Sequence, residues 1–300
     1  MNSLNVLSLF DGISCGQLAL LRANIPVLNY FASEVDKYAI KVTQNNFPNT
    51  IQLGDVRNVS INEKIDLLIG GSPCQSFTFS GKRNGMTTSD NMEITTLDEY
   101  LRYKQEGFDF DGQSYLFWEY VRILKELHPR YFLLENVVMD KKWQKVISDA
   151  LGVEPIKINS NLVSAQNRKR LYWTNIPVKN QPEDKGLLLK DIVIPDNDIH
   201  YHLSVKHLEG FKRSYNWKPC DLNNKSCTLL ASYYKQPPHS PYIASESSES
   251  GYRRLSPIEC ERLQTLPDNY TNCISDTQRY KTIGNGWTVD VLAYIFSFLN

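Results

Sequence analysis

The sequence predicts an α/β chain built on a doubly wound, mostly parallel sheet, with a smaller domain inserted toward its C-terminal half. Three observations predict it. Short apolar runs close on glycines or polar turns, as strands buried on both faces do. Stretches with apolar residues at helical spacing lie between those runs, which makes strand–helix–strand units. After about residue 176 the alternation lapses, and an apolar stretch at the end of the chain resumes it.

Residues 4–10 (LNVLSLF) read as the first buried strand, ending in Asp11-Gly12, and 17–23 as the helix after it. Asn29–Val35 is the second strand and Ile65–Gly70 a further one, again closing on glycines. Residues 114–127 carry a helical pattern and Arg130–Leu134 returns to strand, as does Leu171-Tyr172-Trp173. Residues 177–186 read as a linker, 186–250 as short mixed segments, and 245–251 (SESSESG) as a loop. Ser256-Pro257-Ile258-Glu259 is a helix start, with a capping serine, proline at the first position and an acid after it. Residues 287–299 are apolar enough to return to the first core. The expected layout is therefore 1–176 plus 252–300 as one domain, with 177–251 inserted.

Composition bounds the function. In 300 residues, 41% hydrophobic and 22% charged is ordinary globular content. Lys+Arg and Asp+Glu are both 33, which excludes a wholly polycationic coating protein but leaves room for a local basic groove. The start lacks a basic leader and no run of apolar residues reaches membrane-spanning length, so a cytoplasmic chain without a membrane partner is expected. The six cysteines show no CxxC pair, which reads as reduced thiols, and no metal is expected.

Ligands of doubly wound sheets sit outside the carboxyl ends of the strands, where the polar residues of this chain cluster. Phe10-Asp11-Gly12-Ile13-Ser14-Cys15-Gly16 follows the first strand; its two glycines permit a tight turn, and their spacing fails the dinucleotide fingerprint. Glu34, with Val35 beside it, is placed for ribose hydroxyls, and Asp55, with Val56, for an adenine amine. Such a set suits a ligand with adenosine and no pyrophosphate, although a glycine turn plus an acid is also a common strand end. Gly70-Gly71-Ser72-Pro73-Cys74 offers a strand-end thiol, a competent nucleophile or a small buried hydrophobe. Zinc deamination is excluded, since position 77 is Phe where the second cysteine of its Pro-Cys-x-x-Cys pair would stand. Leu133-Leu134-Glu135 brings a carboxylate to the same edge. In Gln166-Asn167-Arg168-Lys169-Arg170, strand alternation puts Arg168 and Arg170 on one face and Lys169 on the other.

In combination, FDGISCG, SEV, GDV, GGSPCQ, LLENV, QNRKR, RRLSPIECERLQTLP and GNGW follow the order found in DNA (cytosine-5)-methyltransferases, and the chain resembles that family over residues 4–175 and 252–299. FDGI, where restriction-modification members often have FAG, is more similar to the eukaryotic de novo and phage branch. The resemblance implies a Rossmann-like domain that binds S-adenosyl-L-methionine, releases S-adenosyl-L-homocysteine and methylates double-stranded DNA. It implies Cys74 as the thiolate that adds to cytosine C6, and Glu135, in its protonated form, at N3 and the exocyclic amine. It further implies Arg170 at O2 and Arg168 bracing the nucleophile region and a phosphate. Phe10, Asp11, Gly12, Ile13, Cys15, Gly16, Glu34, Val35, Asp55, Val56, Ser72, Asn285, Gly286 and Trp287 would line the cofactor, although Trp287 equally suits plain core. A stacked base is out of reach, so the cytosine must flip out, at a cost of a few kcal/mol.

Residues 75–113 correspond to the family's mobile loop, here long, with a short helix near 94–105. The inserted segment 177–251 is the target-recognition domain by the same resemblance, and its 200–240 stretch has six Lys/Arg to two acids with interleaved aromatics. That composition suits groove contact, or a solvated face over a small core. The expected enzyme acts as a monomer; tRNA methylation and a catalytically silent DNA-binding homologue are the competing readings.

Overall fold

In the computed structural model the described residues are 3–73, 86–195, 198–214 and 217–299. Cys74, the expected nucleophile, and the first part of the 75–113 loop lie outside them.

β1 (Leu4–Leu9) sends Leu4 and Val6 to one side of the sheet and Leu7 and Leu9 to the other, and all four are buried. A strand covered on both faces is mostly apolar on both, which is why this run shows no strict alternation, with Asn5 and Ser8 as its polar positions. α1 (Cys15–Arg22) leads to β2 (Val27–Ser33), and α2 (Lys37–Asn46) leads to the short β3 (Ile51–Gln52). β4 (Leu67–Gly70) follows; then come α3 (Leu97–Gln105), α4 (Phe117–Leu127), β5 (Tyr131–Val137), α5 (Lys141–Leu151), β6 (Ile156–Asn159) and β7 (Lys169–Thr174). The sheet order is β3-β2-β1-β4-β5-β7-β6. The doubly wound, mostly parallel sheet expected from the sequence is present: β3, β2, β1, β4 and β5 pair in parallel.

β7 departs from simple strand–helix alternation. It runs antiparallel to both neighbours, with Glu135 opposite Tyr172 and Val137 opposite Arg170. That register makes Glu135 and Arg170 diagonal neighbours, within reach of long side chains.

The remaining elements are α6 (Val205–Ser214), a two-stranded ribbon of β8 (Tyr242–Ala244) and β9 (Tyr252–Arg254), and α7 (Pro257–Leu263), α8 (Asp276–Asn285) and α9 (Val289–Phe296). Ser256 and Glu259 form the expected capping box at α7, and α9 returns to pack on α1. Buried pairs hold this end together: Arg253 bonds both oxygens of Glu259, and Arg279 reaches Glu261, which also takes the N–H groups of Asn269 and Thr271.

One sequence expectation changes and one open choice narrows. Residues 86–113 were expected to form part of a mobile loop, but Met86, Ile94, Leu97 and Tyr100 are buried in the core against α4, and the Tyr100 hydroxyl bonds buried Glu119 at 2.6 Å. The helix expected near 94–105 is α3. For the aromatics of 200–240 both groove contact and a solvated face over a core were open, and the second describes three of them: Phe211, Trp217 and Tyr233 each pack against Tyr242, with ring centroids 5.4, 6.1 and 6.1 Å from it. Phe211, Tyr233 and Tyr242 are continuous with the core that holds β1 and α9, and Trp217 packs on it, which takes their large apolar area from water. Lys225 is also inside, bonding the carbonyls of Asn161 and Ser164. Among the described residues no helix is long and apolar enough to cross a membrane.

Candidate active site

The turn after β1 is strained. Phe10 and Ser14 both have φ near +57°, in the left-handed region where side chains cost energy, and Gly12 between them has φ +61°. Asp11 stabilises this path: its carboxyl accepts from the Ser14 hydroxyl at 2.6 Å and from the Tyr30 hydroxyl at 2.8 Å. Strain held by a buried polar group is a mark of ligand-binding turns. Burial pushes Asp11 up to about 6, against the pull of the Ser14 and Tyr30 hydrogen bonds. A carboxyl raised in this way stabilises the fold below its unfolded value near 3.8, and that contribution is lost as pH rises through about 6. Asp11→Asn is therefore expected to be the more stable form at pH 7.5, by ~2 kcal/mol, with the gap closing toward pH 4. Urea unfolding of both forms across that range measures it, and a gap independent of pH would contradict the assignment.

The other expected cofactor residues surround this turn. Glu34 at the end of β2 accepts from the N–H of Gly12 at 2.8 Å, and from those of Val35 and Asp36. Val35 is 70% exposed, an apolar side chain at the lip of the strand edge. Asp55 caps the helical turn at Val56–Asn58, and its carboxylate is clamped by the Arg57 guanidinium, which holds it below the usual carboxylate range. Val56, Ile13 and Cys15 are buried, and burial pushes the Cys15 thiol up to about 12. Asn285 is exposed, whereas Gly286 and Trp287 are inside.

These residues fit an adenosyl cofactor carrying positive charge. A Cβ built on Gly12 would meet nothing within 4 Å, so open space lies in front of the turn. Two carboxylates and an exposed apolar side chain border the same edge, which supplies acceptors for hydroxyls and an amine and a surface for a flat base.

A second group sits at the ends of β4, β5 and β7. Glu135 is 8% exposed, and each of its oxygens has its own donor: Arg170 Nε is 2.9 Å from Oε1, and Trp287 Nε1 is 3.0 Å from Oε2. The next residue, Asn136, donates to both the carbonyl and hydroxyl of buried Ser72, at 3.2 and 3.1 Å. That places β5 against the segment that leads through Pro73 to Cys74. Lys169 is exposed between Arg168 and Arg170. Arg168 is 4% exposed, and its guanidinium donates to the carbonyls of Leu229, Gly284 and Gly286 at 3.0, 3.1 and 2.9 Å. The structure thus brings Glu135, Arg170 and Trp287 into direct contact and holds Arg168 one step away, on the turn that carries Trp287.

Sequence reasoning missed Gln264, which is fully buried. Its Nε2 donates to the carbonyls of Ile283 and Gly286, both at 2.9 Å, while its Oε1 accepts from Gln166 and Thr288. The signal for it was an amide directly after the apolar end of a helix, a weak one. Tyr30, which steadies Asp11, was hidden because a tyrosine is ordinary in a strand.

A strained turn with two carboxylates beside it, and a buried Glu–Arg pair at neighbouring strand ends of a doubly wound sheet, are the arrangement expected of a group-transfer enzyme. The model of C-5 cytosine-specific DNA methylases matches residues 4–299, and the chain belongs to that family. Among its relatives, the type II methyltransferase M1.ScrFI of Lactococcus lactis subsp. cremoris is 29% identical over 96% of this chain and 75% of its own length. The type II methyltransferase M.NlaX of Neisseria lactamica is 27% identical over 97% of this chain and 94% of its own. Of solved structures, that of the Entamoeba histolytica methyltransferase EhMeth superposes with a TM-score of 0.73 at 16% identity, over 99% of this chain and 98% of that one, and shows the shared fold.

Proposed function

We propose that the chain, acting as a monomer, transfers a methyl group from S-adenosyl-L-methionine to C5 of a cytosine flipped out of double-stranded DNA. The observation that carries this reading is the Arg170–Glu135–Trp287 arrangement beside Ser72, two residues before Cys74. Phe10 to Gly16, Glu34, Val35, Asp55 and Val56 would hold the cofactor, with Asn285 and Gly286 toward its methionine end. Bound there, it supplies an electrophilic methyl group.

The protein's own part is to make C5 nucleophilic. The Cys74 thiolate adds to C6, the C5–C6 π pair moves toward C5, and the charge that spreads into the ring is met at N3 by the Glu135 carboxyl. Arg170 holds Glu135 and reaches O2. After transfer, C5 loses its proton, the S–C6 bond breaks and the ring double bond returns. Residues 177–251 are read as the target-recognition domain. Their support is the exposed Lys206, Lys212, Arg213, Lys218 and Lys235 over an aromatic core.

The test is incubation with labelled S-adenosyl-L-methionine and duplex DNA of varied sequence, with 5-methylcytosine as the expected product. DNA containing 5-fluorocytosine should trap an adduct that Cys74→Ser does not form. Label entering only RNA, or an adduct that survives Cys74→Ser, would overturn the reading.

A further inference from the structure

We propose that Trp287 is a positioning residue for base activation, whose indole N–H holds the Glu135 carboxyl in the orientation that meets the cytosine ring. This rests on the proposed function and adds to it a role on the base side of the site for a residue expected on the cofactor side.

The geometry separates this role from plain packing. Arg170 alone would leave the carboxyl free to turn about its last bond; a second donor on the other oxygen fixes the plane. The indole sits in a slot made for it. A Cβ on Gly71 would lie 2.8 Å from the indole nitrogen, and one on Gly16 would lie 3.4 Å from the far ring edge. Gly71 has no positive φ, so the ring, and not the backbone, excludes a side chain there, whereas at Gly16 the nearest obstacle is Ile69, 2.4 Å from such a Cβ, and the ring is only in ordinary contact. A buried indole in this protein does not automatically find a partner: Nε1 of Trp118 has none among the described residues. The backbone behind Trp287 is anchored independently of any ligand, because Arg168 and Gln264 both donate to the Gly286 carbonyl at 2.9 Å. Arg170 and Arg168 therefore serve one carboxyl, the first directly and the second through the turn that presents the indole.

If Trp287 acts through Glu135, it acts before methyl transfer, and its effect is visible without cofactor. In duplex DNA tritiated at cytosine C5, addition of Cys74 to C6 lets C5 take a proton from water. Loss of tritium from C5 and breakage of the S–C6 bond then restore the ring, and the label appears in solvent. Trp287→Phe keeps most of the ring and removes the donor. A hydrogen bond to a charged group is expected to make exchange about tenfold to a hundredfold slower when lost. Cofactor binding should be little changed. In a Glu135→Ala background the same substitution should have no further effect. On the otherwise unmodified chain, Glu135→Gln should shift the Trp287 indole proton resonance, a readout that does not depend on Trp287→Phe folding well. Unchanged exchange with weakened cofactor binding, additive losses in the double variant, or an indole resonance indifferent to Glu135→Gln would each overturn the proposal. If the unmodified protein neither exchanges nor methylates, the proposed function fails, and this inference with it.

Discussion

Glu135→Gln is expected to lower the methylation rate by roughly 10²–10⁴-fold, the range of a lost acid–base group, while leaving the fold in place. Glutamine keeps the length and can still accept from Trp287 or Arg170, but it offers no acidic proton to the ring as the thiolate adds. The loss should fall on kcat, since the carboxyl is called on when charge develops and contributes little to holding the duplex. Giving Arg170, which is 15% exposed, a neutral amide in place of its carboxylate should cost ~1 kcal/mol, the difference between a charge-assisted and a neutral hydrogen bond. Steady-state rates with a thermal melt separate the two effects. A fall in kcat of less than about tenfold would show that Glu135 does not meet developing charge.

The fold was legible in the sequence wherever one residue pattern dictates one structure. The mostly apolar run of β1, closing on Asp11-Gly12, reads as a strand buried on both faces, and Ser256-Pro257 before an acid reads as a helix start. What was not legible depends on pairing across long sequence distances. The antiparallel insertion of β7 has no local signature, because period-two alternation is the same for either strand direction. Yet that direction sets Arg170 diagonally beside Glu135. The basic and aromatic stretch at 200–240 left a choice open for a physical reason: large aromatic rings interleaved with lysines suit stacking on bases and suit a core equally, and here Tyr242 gathers Phe211, Trp217 and Tyr233.

The candidate site shows the same division. Strand-end motifs announced the chemistry because turns after parallel strands are where ligands sit, so Glu34, Asp55 and Glu135 were found from local sequence. Their partners were not. Arg57 stands only two residues after Asp55, but Tyr30 on Asp11 and Trp287 on Glu135 are supplied by geometry between elements, and the last joins residues 152 positions apart.

Arg168→Met should cost about 3–5 kcal/mol in stability, the largest structural effect expected of any single change at the site. Methionine replaces the aliphatic stem, so packing is largely kept and the loss isolates the guanidinium. Three carbonyls are affected: Gly286 retains its bond from Gln264, whereas those of Leu229 and Gly284 lose the Arg168 donor inside the protein. Each buried acceptor left unmet costs ~1–3 kcal/mol, and the bonds lost are charge-assisted. Gly284 cannot move to compensate, because a Cβ there would already lie 2.5 Å from the backbone of Leu230 and Ala231. Arg168→Lys should recover only part of the loss, since one ammonium cannot reproduce a planar fork that spans carbonyls from two chain segments. Activity should fall with stability in both variants, because the freed turn carries Trp287 away from Glu135. Urea unfolding of the three forms is the measurement. A loss below about 1 kcal/mol in Arg168→Met would mean that the guanidinium does not hold the two segments together, and full recovery in Arg168→Lys would mean that charge and not the fork holds them.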